Sequence, residues 1–338
     1  MGNLPDRSRI LGWGMKVPDL VVTNDELSAI VETNDEWIQK RTGIQQRRYV
    51  TDGEGSVALA EVAVSDALAM AGIDAASIDA IICCSLSPDV DSPGNASLLH
   101  ERLGIEPRFA FDIRNQCSGF LYGLSTADQL IRTGAARHVL LVGSEVHSSG
   151  LDFQGKRGRD VTVLFGDGSG AVVVGPSESP ERGLMAARLG AEGKFAERLC
   201  VIGPAHRRRP RISAEDLAPD SDYVYPKMEG RYVFKHAVSR MAEVIRQVLD
   251  DTGHTPADID ILLPHQANLR INQFVAMDLE LREDQVANNI ERYGNTTAAT
   301  IPILLTETAA AGRINEGDLV CMAAFGAGFT WGAALMRW

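Results

Sequence analysis

Cysteine is scarce in this chain of 338 residues. Its five thiols (Cys83, Cys84, Cys117, Cys200 and Cys321) are an odd number and form no CxxC pair, so neither a disulfide framework nor a zinc site is expected. Positive charge is also short: 33 Lys and Arg stand against 45 Asp and Glu, a net charge of −12, which excludes the broad basic face of a general nucleic-acid binder. No apolar run approaches the roughly 18 residues of a membrane span. The opening Met-Gly-Asn-Leu-Pro-Asp has neither a signal-peptide core nor the Ser or Thr at position 6 of a myristoylation signal. The expectation is therefore a cytoplasmic protein with reduced thiols, no metal, no nucleic acid and no membrane. What is present, 45% hydrophobic and 23% charged residues, is the composition of an ordinary globular protein and excludes disordered, collagen-like or coiled-coil chains. The length suits two domains or one duplicated unit.

The chain repeats itself. EVAVSDALAMAGIDAASIDAIICC (61–84) reads as an amphipathic helix, a turn and a buried strand, and so does EVIRQVLDDTGHTPADIDILLPH (243–265), at an offset of 181. ADQLIRTGAARHVLLVGSE (127–145) resembles TETAAAGRINEGDLVCMAAFG (306–326) at an offset of 178, and LFGDGSGAVVV (164–174) echoes AFGAGFTWGAAL (324–335). Short apolar runs bounded by glycine and preceded by helical segments suit strands covered on both faces. The pattern predicts two related α/β halves, 1–178 and 179–338, packed together with no long linker between them. The stretch 185–225, with HRRRPR and several Pro and Asp residues, reads as an insertion or loop region.

Three polar residues fall at sensitive places in that pattern. Cys117 follows the apolar FDI through a polar turn and precedes a helical pattern opening at Gly119; a thiol at a helix N-terminus feels the positive end of the dipole, which lowers its pKa. A lone cysteine is otherwise a small core residue, the reading that fits Cys83, Cys84 and Cys321. His265 is the one histidine at the carboxyl end of an apolar run followed by polar residues, where open α/β sheets place ligands. Asn295, in ERYGNTTAATIP, can be a simple turn residue, but the offset of 178 makes it the counterpart of Cys117. The glycine-rich GDGSGA and FGAGFTWG do not have the dinucleotide-binding spacing and read instead as places of close strand approach.

Seven ordered stretches, NDEWIQKRTGIQQRR (34–48), CSGF (117–120), LFGDGSGA (164–171), MEGRYVFK (228–235), PHQANLRI (264–271), YGNTTAAT (293–300) and FGAGFTWGA (325–333), are similar to those of the β-ketoacyl-acyl-carrier-protein synthase III family of the thiolase superfamily. The resemblance covers essentially the full length. It implies a thiolase-like five-layered α-β-α-β-α fold built from two duplicated halves, a homodimer, and an acyltransferase of fatty-acid biosynthesis with a Cys117–His265–Asn295 site. The implied reaction is a decarboxylating Claisen condensation. Cys117 takes an acyl group from acyl-CoA, and His265 and Asn295 donate to the oxygen of a malonyl thioester as it loses CO2, with no cofactor beyond the CoA thioesters themselves. By motif position, Trp37, Arg41 and Arg159 resemble residues that hold the CoA adenine and phosphate, Asn268 one that contacts pantetheine or orients the site, and Lys235 and Arg270 basic residues that dock an acidic carrier protein.

The sequence also departs from the family. FVAMDLELRED (274–284) replaces a Lys-rich turn, and CSGF and FGAGF stand where CAGF and FGGGF are frequent. These departures support a second reading: a secondary-metabolism acyltransferase, or a quinolone- or polyketide-type synthase of the same fold. HRRRPR can compensate for the missing basic turn or be a solvated loop. A papain-like cysteine protease shares the order Cys, His, Asn but has a CGSCW-like context near its N-terminus, which is missing here. A catalytically dead scaffold is disfavoured because all three residues remain. Ser92, in VDSPGNAS, stands where short-chain enzymes often carry phenylalanine projecting into the partner subunit's acyl pocket, and it predicts a preference for medium or longer primers over acetyl.

Overall fold

The computed structural model describes residues 4–106, 108–154, 158–218, 221 and 223–338. Two sheets carry the architecture. The first is formed by β1 (Ser8–Lys16), β2 (Ala80–Cys84), β3 (Phe109–Ile113), β4 (Val139–Glu145) and β5 (Gly168–Pro176) in the order β1-β5-β4-β2-β3. The second is formed by β6 (Gly183–Ala191), β7 (Ile261–Pro264), β8 (Leu319–Gly326) and β9 (Thr330–Arg337) in the order β7-β8-β9-β6. A parallel bridge between Leu262 and Val286 adds a fifth position beside β7. Read from the antiparallel edge, both sheets show the same succession of two antiparallel pairings followed by two parallel ones.

Strand periodicity sorts the side chains into layers, because successive residues point to opposite faces. Ala80, Ile82 and Cys84 of β2, Val139 and Leu141 of β4, Ile261 and Leu263 of β7, and Val320, Met322 and Ala324 of β8 face one shared central core. The alternate residues face outward: Ile81, Cys83, Leu140 and Val142 pack beneath α1 (Ser56–Ala71) and α2 (Asn95–Leu103). Leu262, Leu319, Cys321, Ala323 and Phe325 pack beneath α4 (Gly230–Asp250) and α5 (Leu269–Asp278). Between the sheets lie α3 (Gly119–Arg132) and α6 (Thr300–Ala310), which contribute Phe120, Leu121, Leu124, Ile301, Leu304 and Leu305 to the central core. The layers run helix, sheet, helix, sheet, helix, the thiolase-like arrangement.

One reading of the sequence is corrected. Residues 183–191 are not part of a loop but form β6, the edge of the second sheet, paired along its length with β9. The signal is weak because GLMAARLGA is rich in small residues and only its first two positions are buried. The irregular stretch begins after it, where Arg208 pairs with Asp216 within the stretch and Arg211 with Asp91 of the first half, so two arginines of HRRRPR are already paired.

Truncating a residue of the shared central layer removes transfer energy and leaves a cavity. Leu141→Ala, at a fully buried position, is expected to cost about 2–5 kcal/mol in urea unfolding, whereas Leu189→Ala on exposed β6 should stay within about 0.5 kcal/mol.

Candidate active site

The duplication places the site. Each half has a turn between its fifth sheet position and its central helix: Gln116–Ser118 ahead of α3, and Thr297–Ala299 ahead of α6. Cys117 lies in the first turn and Asn295 just before the second, while His265 directly follows β7. All three line one cavity of about 530 Å³, together with Trp37, Arg41, Asn268 and Arg270. Both turns hold a non-glycine residue in the left-handed region, Gln116 at φ 45° and Thr297 at φ 51°, a conformation that costs energy and is retained only where surrounding structure enforces it.

Cys117 is buried against the turn that follows β8. A Cβ placed on Gly326 would lie 2.7 Å from Cys117 Cβ, so only glycine lets that turn approach. The approach brings the Ala327 N–H, along with the N–H of Cys117 itself, to the sulfur. Burial nevertheless pushes the thiol up to about 12, and the buried Glu145 carboxylate adds to the rise. This corrects the expectation that the helix start leaves Cys117 with a depressed pKa: desolvation of the thiolate outweighs the dipole. Cys83 and Cys321 are also buried and raised, so what sets Cys117 apart is access to the cavity and the two backbone donors.

His265 is fully buried, and burial lowers it to about 3, which leaves the ring neutral at physiological pH. Its backbone N–H donates to Ala323 on β8, tying the end of β7 to its neighbour. Nδ1 lies 2.7 Å from the Thr300 hydroxyl, whereas Nε2 has no hydrogen-bond partner among the described residues. Gln266 beside it accepts from the N–H groups of Asn289 and Ile290, which pins the loop.

Asn295 is oriented by its own turn. Its side-chain oxygen accepts from the Thr297 N–H at 2.8 Å, which leaves the amide NH2 free to face the cavity. The Thr297 hydroxyl in turn lies against Nε2 of His147, a buried ring packed 4.6 Å from Phe165. Backbone bonds from Asn295 to Leu164 and from Gly166 to Asn295 fix the strand-like segment.

Sequence reasoning missed four groups that support the site: Glu145, His147, Thr297 and Thr300. Glu145 is fully buried at the end of β4 and accepts from Ser85, Leu86, Ser87 and the Ala298 N–H, and burial raises it to about 7. A lone acid closing the apolar run VLLVGSE is its only signal. The remaining predicted residues divide. Trp37 is half-buried, with the Arg159 guanidinium 4.4 Å and the Arg41 guanidinium 5.5 Å from its ring centre. Asn268 caps α5 by accepting from the Arg270 N–H and donates to the Arg41 carbonyl, so it holds Arg41 in place. Arg270 is at the cavity wall near Phe234, and Lys235 is exposed on α4. Ser92 is exposed and does not line the cavity of its own chain. The acidic stretch is partly neutralised, Asp278 by Arg246 and Asp284 by Arg282.

Comparison with known proteins matches this geometry to one family. Residues 111–193 fit the family description 3-oxoacyl-[acyl-carrier-protein (ACP)] synthase III, and residues 249–338 its C-terminal counterpart. A β-ketoacyl-acyl-carrier-protein synthase III of Roseiflexus sp. is 44% identical over 97% of both chains. The crystal structure of the 3-oxoacyl-acyl-carrier-protein synthase III of Aquifex aeolicus superposes with a TM-score of 0.89 at 40% identity, over 98% of this chain and 100% of that one. The priming β-ketosynthase of the R1128 polyketide pathway superposes at 0.88 with 31% identity, over 100% of this chain and 98% of that one.

A histidine with a folded pKa below its free value binds fewer protons when folded across the interval between the two, so acid costs stability there. His265 should lower wild-type stability relative to His265→Gln by about 1.4 kcal/mol for each pH unit from about 6.5 downwards. Urea unfolding of both proteins between pH 7 and pH 5 measures it; parallel curves would show that His265 is not held neutral.

Proposed function

The chain belongs to the 3-oxoacyl-acyl-carrier-protein synthase III family, and from that premise we propose that it condenses an acyl-CoA primer with a malonyl thioester through an acyl-Cys117 intermediate. The product is a β-ketoacyl thioester, and the reading places the enzyme at fatty-acid initiation. The observation that carries it is the convergence on one cavity of a buried thiol with two backbone donors, a neutral imidazole whose Nε2 has no hydrogen-bond partner among the described residues, and an oriented amide.

Each group has a step. His265 Nε2 takes the Cys117 proton, and the sulfur attacks the thioester carbonyl. The N–H groups of Cys117 and Ala327, already directed at the sulfur, suit the developing oxyanion. The C–S bond to coenzyme A breaks, and the proton leaves with its thiol. A malonyl thioester then occupies the cavity, with its carbonyl oxygen against His265 and Asn295. Loss of CO2 leaves an enolate whose charge develops on that oxygen, and its carbon attacks acyl-Cys117. Trp37, Arg41 and Arg159 form a flat cationic shelf suited to an adenine nucleotide, and Arg270 with Lys235 suits an acidic carrier protein at the mouth.

A homodimer fits two features. Phe109, stacked on Phe111, is exposed on β3, an unpaired sheet edge, and Ser92 lies outside its own cavity, as a residue serving a partner would. A cytoplasmic location is part of the same reading; among the described residues no helix is long and apolar enough to cross a membrane. The polyketide-type alternative is favoured by the acidic 278–284 stretch, and product analysis with malonyl-CoA against malonyl carrier protein separates the two.

Intact-mass spectrometry after incubation with a panel of acyl-CoAs should show one adduct, absent in Cys117→Ala and retained in Cys83→Ala and Cys321→Ala. An adduct on Cys117→Ala refutes the mechanism. Asn295→Ala should slow condensation roughly 10²–10³-fold while leaving acyl loading intact; loss of loading with decarboxylation spared reverses the assignment. Medium or longer primers should load better than acetyl-CoA, since each buried CH2 contributes about 0.8 kcal/mol, and Ser92→Phe should reverse that order. A wild-type protein that loads acetyl alone overturns the Ser92 assignment.

A further inference from the structure

The reaction asks two opposed things of His265. To activate Cys117, Nε2 must be a bare acceptor; to stabilise the enolate, Nε2 must carry a proton and donate. A carboxylate at Nδ1 would hold the ring in the first form, as the aspartate of a serine protease does. Here the partner is a hydroxyl, which both donates and accepts.

The Thr300 hydroxyl has two neighbours: His265 Nδ1 at 2.7 Å and the Thr297 carbonyl at 3.0 Å. A carbonyl only accepts, so the single hydroxyl proton satisfies it when directed there, and the hydroxyl oxygen is then left to accept from Nδ1–H. In that arrangement Nε2 carries no proton. In the other arrangement water has taken the Nδ1 proton and supplied one to Nε2, the hydroxyl proton has turned toward the now unprotonated Nδ1, and the Thr297 carbonyl keeps the backbone N–H of Thr300. Both states are neutral, as a fully buried ring with no acid beside it among the described residues requires.

We infer that Thr300 is a positioning residue that selects the tautomer of His265, holding Nδ1–H in the free enzyme for acyl loading and accepting the reversed polarity when a malonyl thioester presents its oxygen to Nε2. Thr300 touches no substrate and acts only through the ring. In loading, the Cys117 S–H bond breaks as Nε2–H forms, the thioester C–S bond breaks as the acyl–S bond forms, and the proton departs on coenzyme A, so the ring returns to its Nδ1–H form. In condensation the ring gains no net proton, because decarboxylation supplies the electron pair of the new C–C bond and the Cys117 thiolate leaves. The Cys117 thiolate is reprotonated by a proton from water, the one the overall reaction consumes, and the ring, neutral throughout, returns to its Nδ1–H form as water takes the Nε2 proton and supplies one to Nδ1. The inference rests on the condensing reading above.

Nitrogen NMR of the full-length protein labelled with 15N-histidine tests it, with the His265 signal assigned by its disappearance in His265→Gln. The free enzyme should show Nδ1 protonated and Nε2 bare. Thr300→Val should move the ring toward Nε2–H, slow acyl loading about 10²-fold at unchanged KM for acyl-CoA, and affect malonyl decarboxylation less. Thr300→Ser should restore both the spectrum and the rate. Nε2–H in the free wild-type enzyme, or full-rate loading by Thr300→Val, overturns the inference. If Thr300→Val does not fold, the wild-type spectrum alone decides. Absence of any acyl adduct on wild-type Cys117 would count against the condensing reading itself while leaving the tautomer measurement to stand on its own.

Discussion

One layer of helices shared by two sheets is the constraint on which everything else depends. α3 and α6 are buried over most of their length, and their apolar residues fill the same core as the inner faces of β2, β4, β7 and β8. Because that layer is closed, the turns that open the two helices are forced together at one end. Glu145 fastens the second turn to the first half: its carboxylate collects the amides of Leu86 and Ser87, in the loop after β2, and that of Ala298. A carboxylate buried in this way is tolerable only because its acceptors are filled. Losing any one of those donors would cost more than a surface hydrogen bond does.

Among the described residues no cation is paired with the Cys117 thiol and no carboxylate with the His265 ring. The thiol is raised and the imidazole lowered, both by burial, so both reacting groups rest in their neutral forms. Such a site reorganises little when charge appears, and the donors already aimed at the reacting atoms supply the stabilisation. A pre-formed thiolate–imidazolium pair would have to overcome the desolvation that raises the thiol and lowers the imidazole.

Much of this is legible in the order of the amino acids. Helix and strand periods locate the duplication, but the offset of 178 that pairs Cys117 with Asn295 is not the structural one: the turns Gln116–Ser118 and Thr297–Ala299 and the helices that follow them correspond at 181, which sets Cys117 opposite Ala298 and Asn295 just ahead of its turn. The family stretches name the residues of the cavity wall. What stays hidden follows from physics that local sequence does not carry. β6 is hidden because its small residues pair at an edge and bury little. The direction of the Cys117 shift is misread because a helix start is visible in sequence, while the depth of burial that outweighs it is not. Thr297, Thr300 and His147 read as ordinary turn and strand-end residues; their meaning comes from partners more than thirty residues away, or from a backbone angle no motif announces.

The stack of Arg159 on Trp37 has a kinetic consequence. With a guanidinium 4.4 Å from the ring centre, the shelf is already covered, and no flat ligand can lie on the indole until Arg159 swings away. Arg159 thus acts as a place-keeper. It shields the aromatic face from water, and the contact it gives up is worth only about 0.5–1 kcal/mol at an exposed site. Once displaced, the same cation is free beside the newcomer, ready to meet an anionic group carried on it. Capture then proceeds as an exchange of one planar partner for another, with little bare surface exposed at any point along the way.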